Sequence, residues 1–293
     1  MSFDPNQLAA LSAILRLGSF DAAAEALSVT PSAVSQRIRA LEERVGTALI
    51  HRGTPCTGTP AGQRVARHAE DIALLEAGLS RELSLTPATG PARLRIAVTA
   101  DSLATWVLPA LAEVEDVLFD LVIDDQDHSG DWLRRGEVSA AITAGGQAVA
   151  GCDAHALGSM RYLATASPAF LRRWFPDGIT EPALRHAPCL TFNLKDGLQR
   201  AWIARHFGTR LSPPSHFLPD SHAFVEAAAR GLGWGMNPHA LARDPIRAGR
   251  LVGMLDAAPL DIPLTWQVSR VLAPALAPLT RTIRAAARTV LIP

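Results

Sequence analysis

Between Ser19 and Arg52 the chain places short hydroxyls, an amide and arginines along one side of a single segment. Ser32, Ser35, Gln36, Arg37 and Arg39 are the groups that reach base edges and phosphates when a helix lies in a DNA major groove. Farther along, acids and hydroxyls come together. Asp101 and Ser102 follow a predicted strand, Asp124 and Asp125 end the next, and Asp220 and Ser221 open a predicted helix. A hydroxyl with the first N–H groups of a helix can hold an anionic group, and a carboxylate beside it can hold a cation. Such a pair suits a zwitterion, and an additional carboxylate favours a ligand with a cationic side chain. The same residue types are also ordinary helix caps, each contributing about 1 kcal/mol. No nucleophile with a base and an orienting acid, no phosphate loop and no metal-ligand spacing is present. Gly231 to Gly235 is glycine-rich but lies between a helix and a strand, the wrong order for a phosphate loop. The chain is not read as an enzyme, and no cofactor is implied.

The elements that must carry the first group are two short helices around a tight turn. Ser19 caps a helix to about Leu27, kept thin by Ala22, Ala23, Ala24 and Ala26 so that a second helix can cross it closely. Ser28, Val29 and Thr30 form the turn. Thr30 caps the next helix and Pro31 takes its first position, where the missing N–H has no helical partner. Val34, Ile38, Leu41 and Val45 share one buried face of that helix, about Pro31–Arg44. Pro5 to Leu17 is a preceding helix ended by Gly18, and Leu8, Leu11, Ile14 and Leu15 face the pair. Ala48–Arg52 and a turn near Gly53–Thr59 suggest a two-stranded wing.

The order of residues goes further than the periodicity. The spacing S-F-x-x-A-A-x-x-L-x-V-S/T-x-x-A-V-S-x-x-I-x-x-L-E-x-x-x-G-x-x-L-x-x-R resembles the N-terminal signature of the LysR-type transcriptional regulators. It is met without a gap from Ser19 and Phe20 through Val29, Ser35, Leu41, Glu42, Gly46 and Leu49 to Arg52. Ile50 stands where that family usually has Phe, and remains apolar. The resemblance implies double-stranded DNA as partner and a winged helix-turn-helix over residues 1–58. Candidate DNA contacts are Thr30, Pro31, Ser32, Ser35, Gln36, Arg37, Arg39 and Arg52, the last expected beside the DNA backbone.

The chain has 293 residues, is 48% hydrophobic, and carries a formal net charge of zero, so charge acts locally. From Thr30 to Arg67, six arginines face only Glu42 and Glu43, which supports phosphate binding with a marked salt dependence. Lys195 is the sole lysine; the abundance of arginine and alanine reflects genome base composition. Cys56, Cys152 and Cys189 are far apart and form neither a disulfide framework nor a zinc site. His128, His155, His186 and His222 have no metal-ligand spacing. There is no signal peptide and no run long enough to span a bilayer, so a cytoplasmic protein with no membrane partner is expected.

Thr59 and Pro60 open a long helix to about Ser84, in which Val65, Ala69, Ile72, Leu75, Leu79 and Leu83 form a near-heptad stripe. A second copy of the chain is the expected cover for it, giving a homodimer, or a tetramer as a dimer of dimers. The proline- and threonine-rich Leu85–Pro91 ends this linker region, residues 59–91. From Arg93 on, strands alternate with helices, implying a parallel sheet flanked by helices. The pattern gives two α/β lobes. The resemblance implies that residues 92–161 with 267–293 form one and residues 162–266 the other, with strands Tyr162–Ala166 and Leu264–Val268 crossing between them.

The block ADSLATWVLPAL, LRRGEV at Leu133–Val138, the F-P-x-G-I/V-T stretch at Phe175–Thr180 and SHAFVE at Ser221–Glu226 narrow the resemblance. They are similar to the lysine/arginine-responsive LysG/ArgP branch of the same family, which controls export of basic amino acids. The resemblance implies the two-crossover topology of a periplasmic-binding-protein-like effector domain over residues 92–293. The fold class is thus α/β with an all-α head. It also implies a cleft lined by Asp101, Ser102, Asp124, Thr143 and Ser221, with lysine, arginine or histidine as effector. Trp106 and Trp132 either wall that cleft or belong to the core. Activation would add contact with RNA polymerase. The competing reading is an architectural DNA-binding protein without a physiological effector, which would have no need of two α/β lobes with a polar cleft.

Overall fold

Each helix of the N-terminal unit starts at a side chain able to cap it. In the computed structural model, which describes residues 3–85, 90–124, 129–145, 148–255 and 258–293, Asp4 caps α1 (Pro5–Leu17), Ser19 caps α2 (Phe20–Ala26) and Thr30 caps α3 (Pro31–Val45). Gly18 and Gly46 end α1 and α3 in left-handed conformations, the usual device for closing the last turn. Leu11, Ile14, Ala23, Val34, Ile38, Leu41 and Leu49 are fully buried at the centre of the three helices. Ser28 adopts a φ of 54° in the turn between α2 and α3. The wing follows as β1 (Ile50–His51) paired antiparallel with β2 (Thr57–Gly58).

The long helix α4 (Pro60–Glu82) is fastened to the wing at its first turn. The Thr59 hydroxyl donates to the Ala48 carbonyl at 2.8 Å and accepts from the Gly62 N–H at 3.0 Å. A Cβ on Gly62 would sit 1.9 Å from the Leu49 carbonyl oxygen, so only glycine fits. On the expected stripe, Leu75, Leu79 and Leu83 remain exposed, whereas Leu74 and Gly78 are buried.

The second unit begins with β3 (Ala92–Thr99), α5 (Ala100–Ser102), a π-turn at Leu103–Val107 and α6 (Leu108–Ala112). Pro109 has no N–H to offer the preceding turn, which accounts for the wider winding before it. Then come β4 (Val117–Asp124), α7 (Ser129–Arg134), β5 (Ala140–Ala144), β6 (Cys152–Ala166), α8 (Pro168–Trp174) and α9 (Glu181–Leu184). The chain continues through β7 (Cys189–Thr191), α10 (Leu198–Phe207), β8 (Ser215–Phe217), α11 (Ser221–Ala229), β9 (Gly235–Pro238) and α12 (His239–Arg247). It ends with β10 (Val252–Gly253), β11 (Leu260–Ser269) and α13 (Ala277–Val290).

The main sheet has the order β10-β6-β11-β5-β3-β4, with β9 also on β6. It is mixed rather than parallel as expected: β3 and β5 run parallel, but β11 is antiparallel to both β5 and β6. The crossing strands are longer than their apolar cores suggest because they pair with each other, from Leu260 with Tyr162 to Ser269 with Cys152. Polar residues at the ends of those strands are satisfied by this partner and so escape an apolar-run reading. A register shift at Leu264 and Thr265 lies opposite Gly158, whose φ is 108°. Asp125, His128 and the centre of the linker segment (86–89) lie outside the described residues, as does the side chain of Asp124.

Candidate functional site

The exposed side of α3 carries the first group. Thr30, Pro31, Ser32, Gln36 and Arg39 are exposed, and Ser35 and Arg37 half-buried, while Val34, Ile38 and Leu41 face inward. The Thr30 hydroxyl accepts from the Ala33 N–H and pairs with the Ser32 hydroxyl at 3.0 Å. Glu42 is turned to structural use, accepting the Leu49 N–H at 2.8 Å, which ties the end of α3 to the wing. Arg52 lies with its guanidinium carbon 5.3 Å from the Phe20 ring centroid, a cation–π contact that braces it on α2.

A cavity of about 340 Å³ lies in the second unit. It is lined by Thr99, Ala100 and Asp101 where β3 ends, by Phe192 and Lys195 to Leu198 ahead of α10, and by Ala201 on α10. Ser221 and Phe224 on α11, Met236 and Pro238 on β9, and Ile262 on β11 complete it. Ligand sites of open α/β sheets lie beyond the carboxyl ends of strands, and β3 and β7 both deliver their next residues here.

Asp101 is the polar centre. Its Oδ2 accepts the Tyr162 hydroxyl and its Oδ1 the Ser221 hydroxyl, each at 2.7 Å. Ser221 is 120 residues distant in sequence. Burial pushes the Asp101 carboxyl above the usual carboxylate value, the Tyr162 and Ser221 bonds draw it back, and the negative charge of Asp196 raises it again. Asp196 is held differently, accepting the Phe192 and Leu198 N–H groups at 2.9 and 3.0 Å and the Gln199 amide at 3.3 Å. Asn193 Oδ1 accepts the Lys195 and Asp196 N–H groups at 2.8 and 3.2 Å. The loop between β7 and α10 is therefore fixed by its own Asn and Asp.

Of the expected cleft residues, the structure brings Asp101 and Ser221 together. Ser102 is fully buried and does not line the cavity: Thr99, not Ser102, caps the helix, accepting the Ser102 N–H at 3.2 Å and donating to its hydroxyl at 2.8 Å. Thr143 is also off the cavity, its hydroxyl accepting the Gln267 amide at 2.8 Å within the sheet. Asp220 is an exposed cap on the Ala223 N–H at 2.7 Å. Asp124 ends β4. Trp106 is buried in the core, and Trp132 packs against another core cluster with Arg135 5.0 Å from its ring centroid. Burial pushes the thiols of Cys152 and Cys189 above the usual cysteine value.

Sequence reasoning missed Tyr162, Lys195 and Asp196. Their signals were faint: Tyr162 is the sole tyrosine, Lys195 the sole lysine, and Asp196 sits in an Asn-Leu-Lys-Asp-Gly stretch of turn formers.

Residues 5–63, spanning α1–α3, the wing and the start of α4, match the model of the bacterial regulatory helix-turn-helix protein, lysR family. Residues 89–288 match the LysR substrate binding domain. The chain belongs to the LysR family of transcriptional regulators. Like its relatives in that family it is a DNA-binding regulator and not an enzyme. It is 46% identical to the HTH-type transcriptional regulator LysG of Mycobacterium tuberculosis over 97% of this chain and 93% of that one. Among solved structures, that of ArgP from Mycobacterium tuberculosis shares 45% identity and a TM-score of 0.81, covering 100% of this chain and 99% of the other. A full-length LysG from Corynebacterium glutamicum with bound effector Arg shares 38% identity and a TM-score of 0.68, covering 99% of this chain and 100% of the other. LysG and ArgP regulators are thus among the relatives that match this LysR-family chain along nearly its whole length.

Proposed function

We propose that the cavity takes a basic amino acid, and that its occupancy switches how the recognition helix α3 engages an operator. The observation that carries this reading is the pair of carboxylates, Asp101 and Asp196, in a cavity whose apolar wall is formed by residues such as Phe192, Phe224, Met236, Pro238 and Ile262. Carboxylates match the cationic groups of lysine, arginine or histidine, and the apolar walls match a methylene stem. The arginine carried by the Corynebacterium glutamicum LysG supports the same class. Asp101 joins the segment after β3 to α11 through Ser221. A bound cation draws on the oxygens that hold this link, which gives the ligand a differential interaction with two arrangements of the domain. Only such a difference shifts a population.

On this reading Thr30, Pro31, Ser32, Ser35, Gln36, Arg37, Arg39 and Arg52 contact the operator. The exposed Leu75, Leu79 and Leu83 on and just after α4 are covered by a second copy, in a dimer or a dimer of dimers. The regulator works in the cytoplasm, contacts RNA polymerase when it activates, and controls an amino-acid exporter gene. No helix among the described residues is long and apolar enough to cross a membrane. An architectural DNA-binding protein would have no use for a cavity with two built-in carboxylates.

The test is a thermal-shift series on the full chain with each standard amino acid. A ligand at a hundredfold over its Kd stabilises its domain by about 2.7 kcal/mol. Shifts confined to lysine, arginine or histidine are expected, and the active one should then change operator affinity or footprint. Shifts with none of the three, or only with acidic or apolar amino acids, would reject the reading.

A further inference from the structure

The arginine-rich composition leaves one residue unaccounted for. Lysine and arginine together number 28, and every one but Lys195 is arginine. That single lysine lines the cavity, on the loop whose backbone Asn193 and Asp196 fix. We propose that Lys195 reads the effector's α-carboxylate and thereby makes the site specific for intact basic amino acids against the corresponding decarboxylated amines. The inference rests on the basic-amino-acid reading above and adds a selectivity residue to it.

The charges in the cavity carry the argument. Asp101 and Asp196 supply two negative groups and Lys195 one positive group. A basic amino acid is the complementary ligand, with an α-ammonium, a side-chain cation and one carboxylate. An amine such as agmatine, which is arginine without its carboxylate, satisfies both acids but sets an ammonium of the protein against an unscreened cationic ligand. The identity of the cation matters as well. An arginine here would present a planar fork suited to bidentate pairing with the neighbouring carboxylates, consuming the acceptors that the ligand needs. Lysine is a compact point charge, able to sit beside Asp196 and still attract an anion.

The experiment is calorimetric titration of the full-length protein with L-arginine and with agmatine, in the natural chain and in Lys195→Met and Lys195→Arg. Lys195 is exposed, so ligand-free unfolding midpoints should be unchanged in both variants. The natural protein should prefer arginine by about thirtyfold or more, an interaction of about 2 kcal/mol. In Lys195→Met the preference should fall below about threefold, through weaker arginine binding with agmatine unchanged or tighter. Lys195→Arg should keep a preference of at least about tenfold while binding arginine less tightly. Equal binding of the two ligands by the natural protein, or an undiminished preference in Lys195→Met, would overturn the role of Lys195 while leaving the basic-amino-acid reading intact. Failure of the natural protein to bind arginine, lysine or histidine would overturn that reading and this inference with it.

Discussion

The candidate recognition helix and the candidate effector cavity hold polar groups where a partner could reach them, in opposite ways. On α3 the contact groups come from one short segment, and a single buried stripe, Val34, Ile38 and Leu41, aims them all. In the cavity no segment suffices. Asp101, Tyr162 and Ser221 arrive from three places in the chain and are aimed by each other, with the Asp101 carboxylate as the common acceptor for Tyr162 and Ser221, while Asp196 comes from a fourth and is set by its own loop. The helix therefore tolerates loss of one contact, whereas the cavity is a coupled network in which one loss leaves buried partners unmatched.

The largest expected effect follows from that coupling. Asp101→Asn keeps the shape but removes the charge, and should weaken arginine binding by about a hundredfold or more, about 2.7 kcal/mol, in a calorimetric titration. Operator affinity measured without arginine should stay the same; a parallel loss there would show that the two regions are not separable. The converse variant is Gly62→Ala. Its Cβ would meet the Leu49 carbonyl at 1.9 Å, so it should destabilise the DNA-binding unit by about 2–3 kcal/mol. Denaturation monitored with and without arginine should show the ligand's stabilisation of the second unit preserved.

A pH series sharpens the contrast further. The empty protein holds the Asp101 proton more tightly than the unfolded chain does. The protonated carboxyl therefore contributes stability that is complete below the ordinary carboxylate value of 3.8 and is lost as pH rises through the raised value. A cationic ligand needs the ionised form. Arginine affinity should climb with pH by up to about tenfold per unit below the raised value and then level off. A flat profile would place the cationic contact on another carboxylate. The smallest effect belongs to α3. Arg39→Ala should cost about tenfold in operator affinity and reduce the salt slope of binding by about one, as expected for one phosphate contact.

The same contrast explains what was legible in the sequence. Caps, turn and buried stripe of the head are local, so Ser19, Thr30, Pro31 and Gly46 announce their roles within a few residues of where they act. The alternation of strands with helices in the second unit was readable for the same reason. The direction of β6 and β11 was not, since antiparallel pairing across a hundred residues leaves no local mark. Ser102 and Thr143 illustrate the limit at the site. Each is a hydroxyl beside the end of a strand, and sequence cannot tell one that faces a cavity from one that satisfies a neighbour, here Thr99 and Gln267. Asp196 was hidden because its signature is that of an ordinary turn, and only the fold sets that turn opposite Asp101.

The tyrosine that holds Asp101 is the only one in the chain. A protein grown with isotope-labelled tyrosine would show a single aromatic spin system in a chain of this length, and that one ring ends 2.7 Å from the Asp101 carboxylate. Protonation, ligand entry and any parting from Ser221 would each alter its surroundings. On the proposed function, the chain would thus carry its own reporter beside the acceptor that a proton and an effector would both seek.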